Sequence, residues 1–444
     1  MIELDVKPFC LIPQEINHLQ GLAYNSFNLI TSFQEPNGLI PASLGRFDDQ
    51  HFQNGVWIKD HVRAIKPLTN PLVQQVFPEL DNTHSIRELG FKKSFSELFS
   101  SATQGILSVQ TYKEAWQRFS NTPGMHDENG YATIDCTNAP FIKFTTQGHP
   151  IYDWGHNQPD NWGILLFTIG KGIELDLPIL QRNEGLLKPP GEIIQQITSY
   201  VSRLKTERLK CRSTWEHNVG WSSYSTRRIV LAGLKQIQTV WPALTQDSKV
   251  KNYPLYLHKE ELEEATERLD QLALEHFPAD YTDTHGHDSN GDLASLVVLH
   301  DIDLPPCEQS EIITQTKELE ANFGLRRYIG DPWKRGNTEA LWTMGLPIMA
   351  CYYFNQSLEL REQNNFDGAD NALQQGLNYT DKIREIQTRY GYLSELFEDS
   401  EGIFIPNNNE LAWTHGMIIE AAATGIAALS SKNTNITNQF FALP

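Results

Sequence analysis

The chain has 444 residues, enough for one large domain or two to three ordinary ones. Its 55 acidic residues outnumber 36 Lys and Arg, and the resulting formal charge of −19 repels nucleic-acid phosphates and anionic membranes. Hydrophobic residues make up 40% of the chain, yet no apolar run approaches the roughly 20 residues of a bilayer span. Neither nucleic acid nor membrane is an expected partner.

The first twenty residues lack a basic segment followed by an apolar one, which predicts a cytoplasmic protein. The cysteines (Cys10, Cys136, Cys211, Cys307, Cys351) are scattered and never form CxxC. Reduced, mostly buried thiols are therefore expected, not a disulfide framework or a thiolate zinc site.

Apolar periodicity predicts helices over 14–33, 103–119, 159–173, 190–207, 222–238, 258–276, 309–322, 338–358, 365–390 and 410–430. Two short runs, IKFTT at 142–146 and SLVVL at 295–299, read as strands. Long loops rich in Gly, Asn, Asp and Pro fall at 35–55, 121–158, 278–292 and 398–409, a length that usually marks function. The acidic helix at 259–268 reads as a solvated face, and the Asn-rich tail at 431–444 as frayed or lightly docked. No linker divides the chain, so a single domain spanning 1–444 is expected. Regular helices without a sequence repeat predict an all-α barrel or toroid, not a solenoid.

Four loop-to-helix junctions mix Trp and Gly with acids. They are NGVWIKDHVR at 54–63, YDWGHNQPDNWG at 152–163, RSTWEHNVGWSS at 212–223 and LSELFEDSEGIFIPNNNELAWTHG at 393–416. Any one of them reads equally as an N-cap turn with a hydrophobic staple. Four together suit a pocket where flat rings meet sugar faces. Hydrolysis of a glycosidic bond needs two carboxyls, one to protonate the leaving oxygen and one to activate water. Glu216, directly after Trp215, suits the acid, because an aromatic neighbour desolvates it. Glu395, among Glu398, Asp399 and Glu401, suits the base. Spacing does not choose between these and the other acids.

In this order the junctions resemble glycoside hydrolase family 15, the glucoamylases and the related helical domain of phosphorylase kinase α and β subunits. GLIPAS at 38–43 and VWIKD at 56–60 are similar to the family's GxIxAS and WxRD elements, and WGHNQPD at 154–160 to its WGxxQxD segment. TWEH at 214–217, followed by SS at 222–223, looks like the segment carrying the general acid. GLRRYIGD at 324–331 resembles the GxxRYxxD loop. SELFEDSEG at 394–402, with LAWTH at 411–415, looks like the segment of the catalytic base and the LxWSxA helix. The resemblance spans about residues 24–430.

The resemblance implies an (α/α)6 barrel and single-displacement, inverting release of β-glucose from non-reducing ends of α-glucans. Glycogen, starch or maltodextrin would be the substrate, with no organic cofactor. It makes Glu216 the general acid and Glu395 the general base. Lys59 and Asp60 would hold hydroxyls of the terminal glucose, and Trp57 and Trp154 would wall the pocket. Trp215 would stack near the acid, while Arg327 and Asp331 would bind sugar hydroxyls. Three departures bear on specificity and pH optimum. Lys59 replaces a bidentate arginine with a point charge, His217 replaces a second acid, and Ser213 replaces another.

Two other readings compete: a non-catalytic glucan-binding or regulatory domain, and a hydrolase for trehalose, isomaltose or dextran. DTHGHDSNGD at 283–292 has calcium-loop oxygens, but Ala294 stands where an EF-hand places its closing Glu, so a surface loop without metal is expected. P-loop, GxGxxG, HExxH and GxSxG motifs do not occur.

Overall fold

The computed structural model describes residues 12–43, 55–121, 139–152, 155–181, 186–204, 210–211, 220–221, 224–246, 256–272, 292–321, 323–329, 334–335, 338–400, 403–407 and 410–441. Twelve of its helices form two layers. The outer layer holds α1 (Ile12–Phe33), α3 (Phe95–Val109), α5 (Pro190–Arg203), α7 (Lys259–Leu272), α9 (Pro306–Thr316) and α11 (Phe366–Tyr390). The inner layer holds α2 (Ile58–Ile65), α4 (Pro159–Glu174), α6 (Tyr224–Gln246), α8 (Leu293–Asp301), α10 (Gly345–Glu362) and α12 (Ala412–Phe441).

Each inner helix packs on the next, and α12 packs back on α2, so the inner layer closes into a ring. Outer helices alternate with inner ones along the chain and lie against them from outside. This is an (α/α)6 barrel. Alternation fixes its polarity, because every connection from an outer to an inner helix arrives at the same end.

Local sequence explains the layers. On α1, Leu19, Leu22, Ala23, Phe27 and Ile30 recur on one stripe and are buried against the barrel. The large apolar side chains among them contribute about 1.5–3 kcal/mol each on leaving water. On α7, Leu262, Ala265 and Leu269 face inward while the acidic positions point out, as expected of a solvated face. Ser94 and Glu97 form a capping box at the start of α3, and Gly391 closes α11 in the left-handed region at φ 78°. Inner helices are buried over most of their length. Where α4 crosses α6, a Cβ on Gly233 would lie 2.4 Å from the carbonyl oxygen of Gly163, so only glycine permits that approach.

Several expectations need correction. SLVVL lies inside helix α8, not in a strand, because an inner-ring helix is apolar on every face and loses its 3.6-residue signature. The eight residues of α2 escaped for the opposite reason: IKDHVRAI is polar, yet wholly buried. The helix expected at 103–119 is two, Phe95–Val109 and Lys113–Asn121, and residues 338–342 of the expected 338–358 helix are a strand. The tail does not fray at residue 431, since α12 continues to Phe441. Cys351 is buried as expected, whereas Cys307 is exposed, and both thiols are free. No helix among the described residues is long and apolar enough to cross a membrane.

The strands all belong to outer-to-inner connections. β1 (Gly55–Trp57) pairs antiparallel with β2 (Lys143–Thr145), and β3 (Lys210–Cys211) with β4 (Gly220–Trp221). β5 (Glu320–Ala321), β6 (Gly324–Leu325), β8 (Thr338–Trp342), β9 (Leu396–Ser400) and β10 (Ile403–Asn407) form one sheet in the order β10-β9-β8-β6-β5, with β7 (Lys334–Arg335) pairing on β8.

Candidate active site

β1 runs directly into α2. Trp57 is the last strand residue and the N-cap of the helix, at φ −95° and ψ 139°, which puts Lys59 and Asp60 in the first turn. A carboxylate there suits the positive end of the helix dipole. The backbone N–H of Ile58 donates to Ile142 O at 3.0 Å, and that of Lys59 to Asn161 Oδ1 at 3.0 Å. Asn161 opens α4 and donates to Gln158 Oε1 at 3.2 Å. The second junction is thereby clamped against the first.

Lys143, on β2, is fully buried and holds its ammonium 4.1 Å from the ring centroid of Trp57. Trp57 is only 2% exposed, so it is a packed wall and not an open stacking platform. His156 accepts from the Ile142 N–H at 3.3 Å, and Asp160 is fully buried at the start of α4.

Arg327 and Glu395 flank strands of the larger sheet. Leu325 pairs with Trp342, and Trp342 with Leu396. The Arg327 guanidinium lies 4.8 Å from the Trp342 ring centroid, while its carbonyl accepts from Leu293 N–H at 2.8 Å, at the start of α8. Thr343 N–H donates to Glu395 O at 3.0 Å, and its hydroxyl to Ser394 O at 2.6 Å. These bonds fix the backbone beneath Glu395, whose side chain is half-buried.

The 38–43 segment joins the two groups. Ala42 N–H donates to Gly55 O beside β1, Ala412 N–H donates to Ala42 O at the start of α12, and Ser43 bridges to Leu411. Trp413 follows, with the Arg63 guanidinium 4.7 Å from its ring centroid. A Cβ on Gly416 would come within 2.4 Å of Arg63 O, so α12 and α2 approach as closely as backbones allow. Glu410 accepts from Leu393 N–H at 2.9 Å and faces His415 Nε2 at 3.5 Å, tying α12 to the segment that carries Glu395.

Asp60, Arg63 and Lys66 recur every third residue and occupy successive depths of the barrel. Arg63 Nε donates to Asp301 Oδ2 at 2.8 Å, and both side chains are essentially without exposure. Burial is the largest influence and opposes ionisation of Asp301, but Arg63, His300 and Lys66 together outweigh it and hold the carboxyl below its usual range. Among the described residues nothing accepts from Arg63 Nη1 or Nη2, or from the Trp413 indole N–H. Buried donors left in that state cost about 1–3 kcal/mol each, so this floor suits a hydroxyl-rich ligand or ordered water.

The structure therefore brings Trp57, Lys59 and Asp60 together on α2 and links Arg327 to Glu395 through Trp342. Glu216, Trp215, Trp154 and Asp331 lie outside the described residues, as do Ser213, His217 and positions 283–291 of the loop weighed for calcium. Its last residue, Asp292, caps α8 by accepting from Ala294 N–H at 2.8 Å. Lys143 and Trp342 carried no motif, and Arg63, though it closes the first junction, was given no role. Only the burial of a cation against an aromatic ring marks them.

No protein-family model matches the chain, and no curated protein matches it either. Solved structures do. Glucoamylase from Saccharomycopsis fibuligera superimposes with a TM-score of 0.62 at 14% identity, covering 93% of this chain and 96% of that one. Hormoconis resinae glucoamylase gives 0.61 at 15% identity, covering 95% and 76%. A glycosidase solved in complex with glucose gives 0.57 at 15% identity, covering 93% and 98%. The fold is that of the glucoamylases. At such identities the likeness concerns the path of the chain, and the chemistry rests on the residues described above.

Proposed function

We propose that the protein is an exo-acting glycoside hydrolase that releases β-glucose from the non-reducing ends of α-glucans by single displacement. One observation carries this reading: Trp57, Lys59, Asp60, Arg327, Glu395 and Trp413 all stand at the end where connections enter the inner ring, either on a connection or in the first turn of the helix it leads into. The orphaned donors of Trp413 and Arg63 beneath them add groups suited to sugar oxygens.

In this mechanism a terminal glucose enters along the barrel axis. Asp60 accepts from its hydroxyls, while Lys59 and Arg327 donate to its oxygens. Glu395, on the sheet beside Trp342, takes a proton from the water that attacks the anomeric carbon. Glu216 protonates the departing glycosidic oxygen. An inverting pair stands about 6.5–9.5 Å apart, leaving room for that water. Water entering opposite the leaving group turns an α-linkage into β-glucose.

The test is glucose release from glycogen and maltoheptaose, with the anomer followed by NMR and the Glu216→Gln and Glu395→Gln proteins as controls. β-Glucose from the wild type alone supports the assignment, and α-glucose overturns the inverting mechanism. Retention on glycogen without release would establish a glucan-binding domain instead. No release and no retention would redirect the search to trehalose, isomaltose and dextran.

A further inference from the structure

At the opposite end of the barrel, below Arg63 and Asp301, lies a cavity of about 790 Å³. Glu174, Asp301, Asp303 and Glu359 line it, against the ammonium groups of Lys66 and Lys171, so carboxylates outnumber cations even before Glu420 is included. At its inner surface His300 at the end of α8, Cys351 on α10 and Glu420 on α12 converge from three helices. Their ligating atoms lie within 4.8 Å of one another.

We propose that His300, Cys351 and Glu420 bind a divalent ion of the zinc class, with its fourth position open to this cavity. Imidazole, thiolate and carboxylate together select borderline-soft zinc over magnesium or calcium, which take oxygen ligands. His300 Nε2 and Glu420 Oε2 are 3.2 Å apart. Two ligands each about 2.0–2.1 Å from a tetrahedral ion stand about 3.3 Å apart, so this pair is already spaced for one.

His300 supplies the independent indication of a ligand. Its side chain is 2% exposed, yet neither ring nitrogen makes a hydrogen bond of proper geometry. Nδ1 instead faces Asp301 Oδ1 at 3.5 Å, and Arg63 fixes that carboxylate. A histidine backed by a carboxylate on one nitrogen and directed at a metal by the other is the usual arrangement around zinc. Asn70 Nδ2 donates to Glu420 Oε1 at 2.8 Å and leaves Oε2 toward the site.

Lys66 is the competitor. Its ammonium lies 3.2 Å from Glu420 Oε2 and also donates to His300 O at 2.8 Å. On binding, the ion takes Oε2 and Lys66 keeps the carbonyl. The Cys351 thiol loses its proton to water, and the sulfur becomes the third ligand. The competition weakens the site relative to one built only of thiolates and imidazoles. Binding would cross-link α8, α10 and α12 on the side of the ring away from the proposed hydrolytic site, and it does not depend on that site's activity.

The test is titration of metal-free wild-type protein with Co2+ alone, followed by displacement with Zn2+. One equivalent producing a thiolate-to-cobalt charge-transfer band in the near ultraviolet is expected. Cys351→Ser should abolish the band, and His300→Gln should weaken binding by more than the roughly 10–100-fold that loss of a group supporting a ligand costs. A wild-type protein that gives no charge-transfer band overturns the proposal without reference to any variant. So does a band that survives in Cys351→Ser, since the sulfur would then be another cysteine.

Discussion

Arg63 and Asp301 meet across the axis of the barrel, Nε to Oδ2 at 2.8 Å, from inner helices on opposite sides of the ring. Taking two charges out of water costs several kcal/mol per ion, and only the partner offsets it. Arg63→Met or Asp301→Asn alone should therefore lower stability by about 3–5 kcal/mol, since each strands a buried group. The double change Arg63→Met with Asp301→Asn should cost less than the two singles together. Chemical denaturation of all four proteins measures this, and strict additivity would contradict it.

Glu395 contributes its backbone to the sheet and leaves its carboxyl half-buried. Glu395→Gln should therefore preserve the melting temperature while lowering kcat on maltoheptaose by about 10²–10⁴-fold, the usual worth of a general base. A variant that melts early would show that the carboxyl is structural.

Lys143 covers the Trp57 ring at 4.1 Å with no exposure. Lys143→Met keeps most of the stem and removes only the ammonium, a contact worth about 2 kcal/mol when desolvated. Because the wall of the proposed pocket would loosen, KM should rise up to about thirtyfold with kcat little changed. An unchanged KM would place Trp57 and Lys143 outside the substrate's reach.

His61 on α2 accepts from the Ile40 N–H at 3.0 Å and donates to Ala102 O at 3.0 Å, pinning the 38–43 segment to α2 and α3. Complete burial lowers its pKa from 6.5 to about 4, against the raising effect of both backbone bonds. The unfolded chain thus binds a proton that the folded protein refuses between pH 6.5 and 4. Its contribution is complete above pH 6.5 and falls by about 3 kcal/mol as pH drops through that window. Melting temperature should decline over the same range, and decline less steeply in His61→Gln. Equal slopes would assign the acid sensitivity to other groups.

Gly233 lies under the carbonyl of Gly163 where α4 crosses α6. Gly233→Ala forces the inner ring apart at that point and should cost about 1–3 kcal/mol despite alanine's better helix propensity. A stabilised variant, seen as a higher denaturation midpoint, would mean that the helices can slide past each other.

The outer layer was legible in the sequence because a surface helix alternates between water and core, as the stripe on α1 illustrates. The inner ring was harder. α8 is apolar on all faces and resembles a strand, while α2 carries buried Lys59, Asp60, His61 and Arg63 and so reads as polar. Trp57, Lys59, Asp60, Arg327 and Glu395 were proposed from motif order, which packing and periodicity do not supply. Lys143 and Trp342 were not, since their partners come from distant segments and each depends on strand register that local sequence does not encode. The His300–Cys351–Glu420 cluster spans 120 residues of chain and has no spacing to detect.

The buried Arg63–Asp301 pair would also govern traffic through the proposed site. With the barrel blocked at its waist by this pair, a ligand of the proposed site that enters beside Trp57 and Asp60 would leave by the same opening. For the proposed reaction, freed glucose lies beneath the remainder of its chain, so the shortened polymer has to back out before the sugar can. Each cut would then end an encounter, and digestion would shorten many chains slightly before it consumed any one of them.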